Sequence, residues 1–575
     1  MPTRRRSTPL GEVLRRVLAG SGAQSGREAG ELDAIPVPDL LAAAPGPPPD
    51  AGRLLDQLDL AFLGRASAGE LDAEIDGTPV PASAWVPAHF ADDLFLAELA
   101  RGVLGAAAER RGVTVHRRHL ERVLTRPPHD LATVKFRQQI TREMEEDGTA
   151  AEAVETLLRL LGHLTHLLRA SRDDARLEPI RFRFDVLHAF REVVEQMADG
   201  FSATRSGLRR VHDHGERLRR SEPYRRMVEL LDHDAAMATL TIDTVIGADG
   251  RIRHLQISGI RERSRNLFYR RPLRRWWDRL RALYHRYSLD RQDVVDRIVM
   301  EVYGEISPAL ARALQLAPQL ELYAASRSFA AEVRARGLEV CLPRFEASAG
   351  LDLEGLFNPL LLALVDRPVP SDLSFDEAAI VSLVTGPNSG GKTRLLQAVG
   401  IAQVLGQNGI HVPCSRARLP LVPGLFASIV ELDRAYQPEG RLGTELNRLR
   451  TLFETVPPGS LVLLDELCSG TNPSEAIEIV DTVLRLLDKM TPLALVTTHF
   501  LDYARRLHAR APADGRRFLQ AEVDAHGEPT YRFTPGVADS SLAAGTARRL
   551  GVTFDELART LEPAPDGPEP GSGTS

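Results

Sequence analysis

Gly386-Pro387-Asn388-Ser389-Gly390-Gly391-Lys392-Thr393 lies between an apolar stretch, Ala379 to Val384, and a run of helical character, Arg394 to Leu405. Its spacing is G-x-x-x-x-G-K-[ST], and strand before with helix after is the context this motif requires. Glycines let backbone N–H groups turn inward on phosphate oxygens, and the start of a helix adds a favourable dipole. Lys392 is expected to reach β- and γ-phosphates, and the Thr393 hydroxyl to bind Mg²⁺. Chance alone produces such a run roughly 0.002 times in a chain of this composition. Lysine is scarce here: of 72 basic residues only Lys135, Lys392 and Lys489 are lysine. A lysine kept among so many arginines is worth attention, because the two differ in size and donor geometry.

Working outward, Ser460-Leu461-Val462-Leu463-Leu464-Asp465-Glu466 reads as a buried strand ending in two carboxylates, 73 residues after Lys392. Asp465 is expected in the magnesium shell, and Glu466 as the general base that polarises water. Leu493 to Thr497 reads as a further strand. It runs into Thr497-Thr498-His499, and His499, 34 residues past Asp465, is expected beside the γ-phosphate. From about Leu351 onward, short apolar strands alternate with helical stretches. That alternation predicts a mostly parallel, doubly wound α/β domain.

These residues resemble the MutS family of DNA mismatch-repair ATPases. Val384 to Thr393 is similar to that family's T-G-P-N-x-G-G-K-[ST] loop, and Leu464 to Asn472 to its D-E-x-x-x-G-T segment. Thr498-His499-Phe500 resembles its T-H-[YF]; Pro535 to Ser541 and Ala547 to Gly551 resemble the close of the same domain. Upstream, Leu120 to Pro128 through Phe136-Arg137-Gln138 is similar to the opening of the family's helical core. Leu316 to Phe329 resembles the core's last helix, and Phe357-Asn358-Pro359-Leu360 the [RH]-x-P-L run that follows it.

The resemblance implies a multidomain α plus α/β protein: a helical core and lever region with an inserted β-hairpin, then a doubly wound P-loop ABC-type ATPase domain. It implies ATP and Mg²⁺ as cofactors, ATP hydrolysis, DNA as partner and a homodimer. The signature segment that would reach the other subunit's nucleotide is Gly440-Arg441-Leu442-Gly443-Thr444-Glu445-Leu446. Gly440 stands where the family usually has serine, which leaves Arg441, Thr444 and Glu445 as the candidate trans contacts. The family's mismatch reader carries a Phe-x-Glu wedge; none is found before Pro127, so a general mismatch sensor is not expected.

The rest of the chain organises around this domain. Residues 1–92 are expected to be variable and partly disordered, with Pro45-Gly46-Pro47-Pro48-Pro49 as linker. Residues 93–350 are expected to form the helical core. Val154, Leu157, Leu158, Leu161, Leu164 and Leu168 mark one apolar helix face. An insertion is expected at about 205–290, with a hairpin read from alternation at Leu240, Ile242 and Ile246, a turn at Ala248-Asp249-Gly250, then Ile252, Leu255 and Ile257. Ser307-Pro308 reads as the N-cap and first turn of a later helix. Residues 351–561 hold the ATPase domain, and the Pro/Gly/Ser-rich tail 562–575 is expected to be disordered.

Composition sets the bounds. With 575 residues, 43% apolar and 26% charged, the chain is not collagen-like, wholly disordered or a disulfide scaffold. No uncharged apolar run approaches the roughly 20 residues that cross a bilayer. Cys341, Cys414 and Cys468 are widely spaced and odd in number, which predicts a reducing, cytoplasmic setting and no cysteine-built zinc site. His163, His166, His212 and His214 lack a third convergent ligand and read as surface histidines. Net charge is -6, yet Arg261 to Tyr287 carries ten arginines against Glu262 and Asp278. Arg261, Arg263, Arg265, Arg270, Arg271, Arg274 and Arg275, interleaved with Phe268, Tyr269, Trp276 and Trp277, form a candidate nucleic-acid strip that neutralises phosphates and stacks bases. The reading that follows is an ATP-driven grip on duplex, mismatched or branched DNA. Recombination intermediates, RNA or ribosomes are the alternative substrates, and an ATP-gated protein-interaction module is the alternative class.

Overall fold

The computed structural model describes residues 32, 35–44, 46, 51–65, 68–177, 179–235, 239–246, 252–261, 291–346, 350–375, 381–387, 389–429, 440–490, 493–510, 516–526, 528–539 and 557. The side chains of 170–177, 179, 233–235, 239–246, 252–261, 291–297 and 441 are not among what is described. Asn388, the arginines from Arg263 to Arg275, and the tail from 562 therefore lie outside the described residues.

The N-terminal half is helical: α1 (Gly52–Phe62), α2 (Ala68–Asp76), α3 (Arg117–Leu124), α4 (Leu131–Glu146), α5 (Gly148–Leu177), α6 (Pro179–Glu195), α7 (Arg209–Arg220) and α8 (Glu222–Ala235). Asp130 caps α4 by accepting the Thr133 N–H at 2.7 Å, which satisfies one of the donors a helix start leaves free. The six apolar positions read on α5 are all buried. His163 and His166 are exposed as expected; His212 is half-buried, its Nδ1 2.7 Å from Ala198 O, and His214 is buried, so these two are packing residues rather than surface ones.

Strands β1 (Thr239–Ile246) and β2 (Ile252–Arg261) form the antiparallel hairpin that the alternation predicted. Helix α9 (Arg291–Ala335) follows and runs for 45 residues without a break. It passes through Ser307-Pro308, which overturns the reading of that pair as a helix start. Pro308 has no N–H to give the Gly304 carbonyl one turn back. The Ser307 hydroxyl donates to that carbonyl instead, at 3.4 Å.

Two compact units divide the chain. One comprises Met1–Pro36 and Arg217–Leu310. In it Tyr224, Met227 and Leu231 of α8, and Val299, Tyr303 and Ile306 of α9, are buried at helical spacing. Arg226 of α8 meets Glu305 of α9 at 2.9 Å. The other unit comprises Val37–Glu216 and Ala311–Ser575 and holds both larger sheets.

Those sheets are built from β3 (Arg344–Glu346), β4 (Leu351–Leu356), β5 (Ser371–Phe375), β6 (Val381–Thr385), β7 (Arg416–Pro420), β8 (Leu425–Ser428), β9 (Leu461–Leu464), β10 (Leu493–Thr497), β11 (Arg517–Val523) and β12 (Pro529–Pro535). The helices among them are α10 (Lys392–Gln407), α11 (Gly440–Thr455), α12 (Pro473–Met490) and α13 (Leu501–His508). A four-stranded sheet has the order β3-β7-β4-β5. The six-stranded sheet has the order β12-β11-β6-β10-β9-β8; all neighbours are parallel except the antiparallel edge strand β12.

Both faces of the larger sheet are covered, as near-continuous apolar strands demand. Val381, Leu383, Val462, Leu464, Ala494 and Val496 pack with Leu449 and Leu452 of α11, Val480, Leu484 and Leu487 of α12, and Tyr503 and Leu507 of α13. The alternate residue Leu463 turns the other way, toward α10, where a Cβ on Gly400 would lie 2.9 Å from its Cδ1. This is the doubly wound arrangement expected from the sequence. It places the carboxyl ends of β6, β10 and β9 side by side on one edge, where α/β sheets bind ligands.

Candidate nucleotide-binding site

The strand order decides what meets at that edge. β10 lies between β6 and β9, with Thr497 opposite Val384 and Val496 opposite both Leu383 and Leu464. The loop after β6, the carboxylates after β9 and the threonines ending β10 therefore converge. Thr498 N–H donates to Val384 O at 3.0 Å and ties the two strand ends together.

The loop from Gly386 to Gly391 leads directly into α10. Gly386 has φ of 137°, and a Cβ there would lie 2.7 Å from the Ala521 Cβ on β11. Glycine is needed both for the dihedral and for the close approach. Of the three lysines, only Lys392 is buried, at 2% exposure. Its Nζ donates to Gly386 O and Pro387 O, both at 3.0 Å, and pairs with Glu466 Oε1 at 3.1 Å. All three ammonium donors are thus directed at the loop and its acidic neighbour.

Thr393 Oγ1 donates to Asp465 Oδ2 at 2.6 Å. Asp465 Oδ1 accepts from Thr497 Oγ1 at 2.5 Å, and the same Thr497 oxygen accepts the Glu466 N–H at 2.9 Å. Burial pushes the Asp465 carboxyl above its ordinary value; the Thr393 and Thr497 donors and Lys392 oppose that, and Glu466 adds to it. A hydroxyl and a carboxylate brought within hydrogen-bond reach form the hard, all-oxygen donor set that magnesium takes. Glu466 and Cys468 have positive φ, 42° and 57°. Cys468 N–H donates to Glu445 Oε1 at 2.7 Å, which fixes this tight turn against α11. Burial, and then Glu445, push the Cys468 thiol up to about 11, so it is an inert packing group.

Several expected residues take other partners. His499 is half-buried and packs on Phe500, ring centroids 4.1 Å apart, while Thr497 makes the contact with Asp465. Within its own chain Glu445 holds the turn after β9, and Thr444 Oγ1 donates to Gly440 O at 3.1 Å. The Arg441 side chain is outside the described residues. Gly440 has φ of 68° at the start of α11, a conformation that disfavours serine, which accounts physically for the glycine in that place.

Two groups were not singled out from the sequence. Thr497 was visible only as the residue before Thr498-His499. Tyr531, on edge strand β12, has φ of 60° and is half exposed; a Cβ on Gly391 would lie 3.4 Å from its Cδ1. No local pattern marks an exposed edge-strand tyrosine as lying beside a loop 140 residues away.

Residues 382–553 match the family model for MutS domain V. The chain is 31% identical over 287 residues to Endonuclease MutS2 of Gemmatimonas aurantiaca, covering 49% of this chain and 34% of that protein. Endonuclease MutS2 of an Anaeromyxobacter species is 32% identical over 269 residues, 44% of this chain and 33% of that protein. The Thermus thermophilus protein of the same name is 29% identical over 296 residues, 50% and 37% respectively. Residues 382–553 are thus similar to the MutS family over its domain V. The match to these MutS2 proteins spans about a third of their length. The MutS domain V match takes in the phosphate loop, Asp465-Glu466 and Thr497, the residues that meet at the sheet edge. Among the described residues no helix is long and apolar enough to cross a membrane, and no group of three His, Cys, Asp or Glu is placed to hold a metal by itself.

Proposed function

We propose that the chain is a MutS-type ATPase whose nucleotide state switches its grip on DNA. The carrying observation is the meeting of Thr393 with Asp465, 2.6 Å apart, beside a buried Lys392. In this reading Lys392 leaves the loop carbonyls and Glu466 to take the β/γ-phosphates, and loop N–H groups and the α10 start hold the remaining oxygens. Thr393 and Asp465 hold Mg²⁺, which when bound neutralises developing phosphate charge. Releasing Lys392 frees Glu466 to accept a proton from the attacking water, with His499 near the γ-phosphate. Tyr531 offers its ring to the base beside Gly391. Arg441, Thr444 and Glu445 face the nucleotide of a second copy, making a homodimer. The arginine strip from Arg261 to Arg275 contacts duplex phosphates, and mismatched or branched DNA is the substrate class.

The test is nucleotide binding by equilibrium dialysis together with ATP turnover, with and without perfect, mismatched and junction DNA. Lys392→Ala is expected to weaken binding and to lose turnover by at least about 100-fold. Glu466→Ala is expected to keep ATP while losing hydrolysis by about 100-fold or more. Wild-type turnover in Lys392→Ala overturns the site assignment. Turnover indifferent to every nucleic acid tried overturns the DNA reading and favours a protein-interaction module.

A further inference from the structure

Residues 37–44 were expected to be loosely ordered, and they are not. The segment has no helix or strand of its own, yet Leu40 and Leu41 are 0% and 1% exposed. The reason is that side chains of distant helices bind its backbone. Arg210 of α7 donates to Asp39 O at 2.5 Å, to Ala42 O at 2.8 Å and to Ala43 O. Tyr323 of α9 donates to Leu40 O, and Arg137 of α4 donates through Nε to Leu41 O at 2.8 Å. Five successive carbonyls, from Asp39 to Ala43, are thereby held. On the donor side, Leu40 N–H goes to Gln319 Oε1 at 2.8 Å, and Leu41 and Ala42 N–H go to Asp39 Oδ1 at 2.9 and 3.1 Å. A backbone read by side chains from several helices, with two leucines as anchors, is the way a receptor groove holds an extended peptide.

The groove also touches the nucleotide-site helix. The guanidinium of Arg137 is 1% exposed; its Nε holds the strap and its Nη1 donates to Asn408 Oδ1 at 2.8 Å. Asn408 is the C-cap of α10, whose first residue is Lys392. One turn along α4, Thr141 Oγ1 donates to Gly409 O at 2.8 Å. A buried guanidinium cannot lose one partner without cost, so strap and helix end share a single rigid donor. Leu41 to Ala44 also wall a cavity of about 320 Å³, together with Arg126, His129 and, from α4, Thr133 and Arg137. Open space therefore lies directly beside the strap's contact with Arg137.

We propose that residues 37–44 are a latch seated in a peptide-binding groove, and that their seating is coupled through Arg137 and Asn408 to the phosphate-loop helix. The inference rests on the nucleotide reading above. Coupling of this kind is reciprocal: whatever factor nucleotide exerts on the latch, the latch exerts on nucleotide affinity.

Hydrogen exchange of the amides of residues 40–43 tests it, with and without a non-hydrolysable ATP analogue and magnesium. Nucleotide Kd is measured alongside by equilibrium dialysis. Arg210→Gln removes three carbonyl contacts and the stacking of Arg210 over the Phe136 ring, 4.3 Å away, and leaves the Arg137 hydrogen bonds and the loop in place. Nucleotide is expected to change latch exchange at least threefold. Arg210→Gln is expected to raise that exchange at least tenfold and to shift the nucleotide Kd at least threefold. Tyr323→Phe, which loses one hydroxyl contact, is expected to act in the same direction and serves if Arg210→Gln does not fold. A freed latch with unchanged nucleotide Kd overturns the coupling, as does nucleotide binding with unchanged latch exchange. Failure of the wild-type chain to bind nucleotide overturns the nucleotide reading and the latch with it.

Discussion

Thr497 Oγ1 accepts the Glu466 N–H at 2.9 Å while donating to Asp465 at 2.5 Å, so one hydroxyl fixes both the carboxylate proposed to hold magnesium and the backbone of the proposed base. Thr497→Val keeps the β-branched shape that suits a strand and removes only the hydroxyl. Two half-buried groups then lose a partner, a cost of about 1 kcal/mol in stability. Groups that orient metal ligands typically change metal affinity 10–100-fold when removed. The magnesium concentration for half-maximal turnover is therefore expected to rise by about 10–100-fold, with magnesium-free nucleotide affinity changed less than about threefold. A magnesium titration that superimposes on the wild type would sink this role. At this scale the loop was legible because its pattern is written in eight consecutive residues, Gly386 to Thr393. Thr497 was not, because its part depends on β10 lying between β6 and β9, an order that no local pattern states.

Among the elements, α3 buries a titratable group in its neutral form. His119 is fully buried, and burial, then Arg122 and His116, push its pKa down to about 3. Its ordinary value is 6.5. Between these values the unfolded chain binds a proton that the folded chain refuses. Stability contributed by this site is therefore intact above about 6.5 and is lost as pH falls toward about 3, by up to about 1.4 kcal/mol per pH unit. His119→Leu is expected to flatten the pH dependence of the urea midpoint across that window and to leave the slope above it unchanged. Parallel curves for the two proteins would remove His119 from the account. The other elements show what sequence patterning reads well and badly. β6, α10 and β10 were legible from apolar runs and period. The break at Ser307-Pro308 was misread, because a serine before proline looks the same whether it starts a helix or repairs one, and only the Gly304 carbonyl distinguishes them. The strap at 37–44 was misread because its partners lie as far as 283 residues away.

For the whole molecule the decisive quantity is where charge sits rather than how much there is. The net charge of -6 repels a polyanion, while the segment Arg261 to Tyr287 alone carries +8. Screening over about 8–10 Å at ordinary salt makes the local strip matter more than the total for a bound duplex. If the strip holds phosphates, affinity must fall linearly with the logarithm of salt, with a slope of about 0.9 for each phosphate neutralised on duplex DNA. Replacing Arg261, Arg263, Arg265, Arg270, Arg271, Arg274 and Arg275 together with glutamine is expected to weaken binding at low salt and reduce that slope by up to about 6. Perfect and mismatched duplexes are expected to lose affinity by similar factors, since phosphate contacts position a protein without reading sequence. Filter binding over a salt series reads all three quantities. An unchanged slope with unchanged low-salt affinity would place the strip among solvated arginine faces. A loss confined to one DNA structure would instead make these residues readers of shape, because uniform electrostatics cannot tell a junction from a straight duplex.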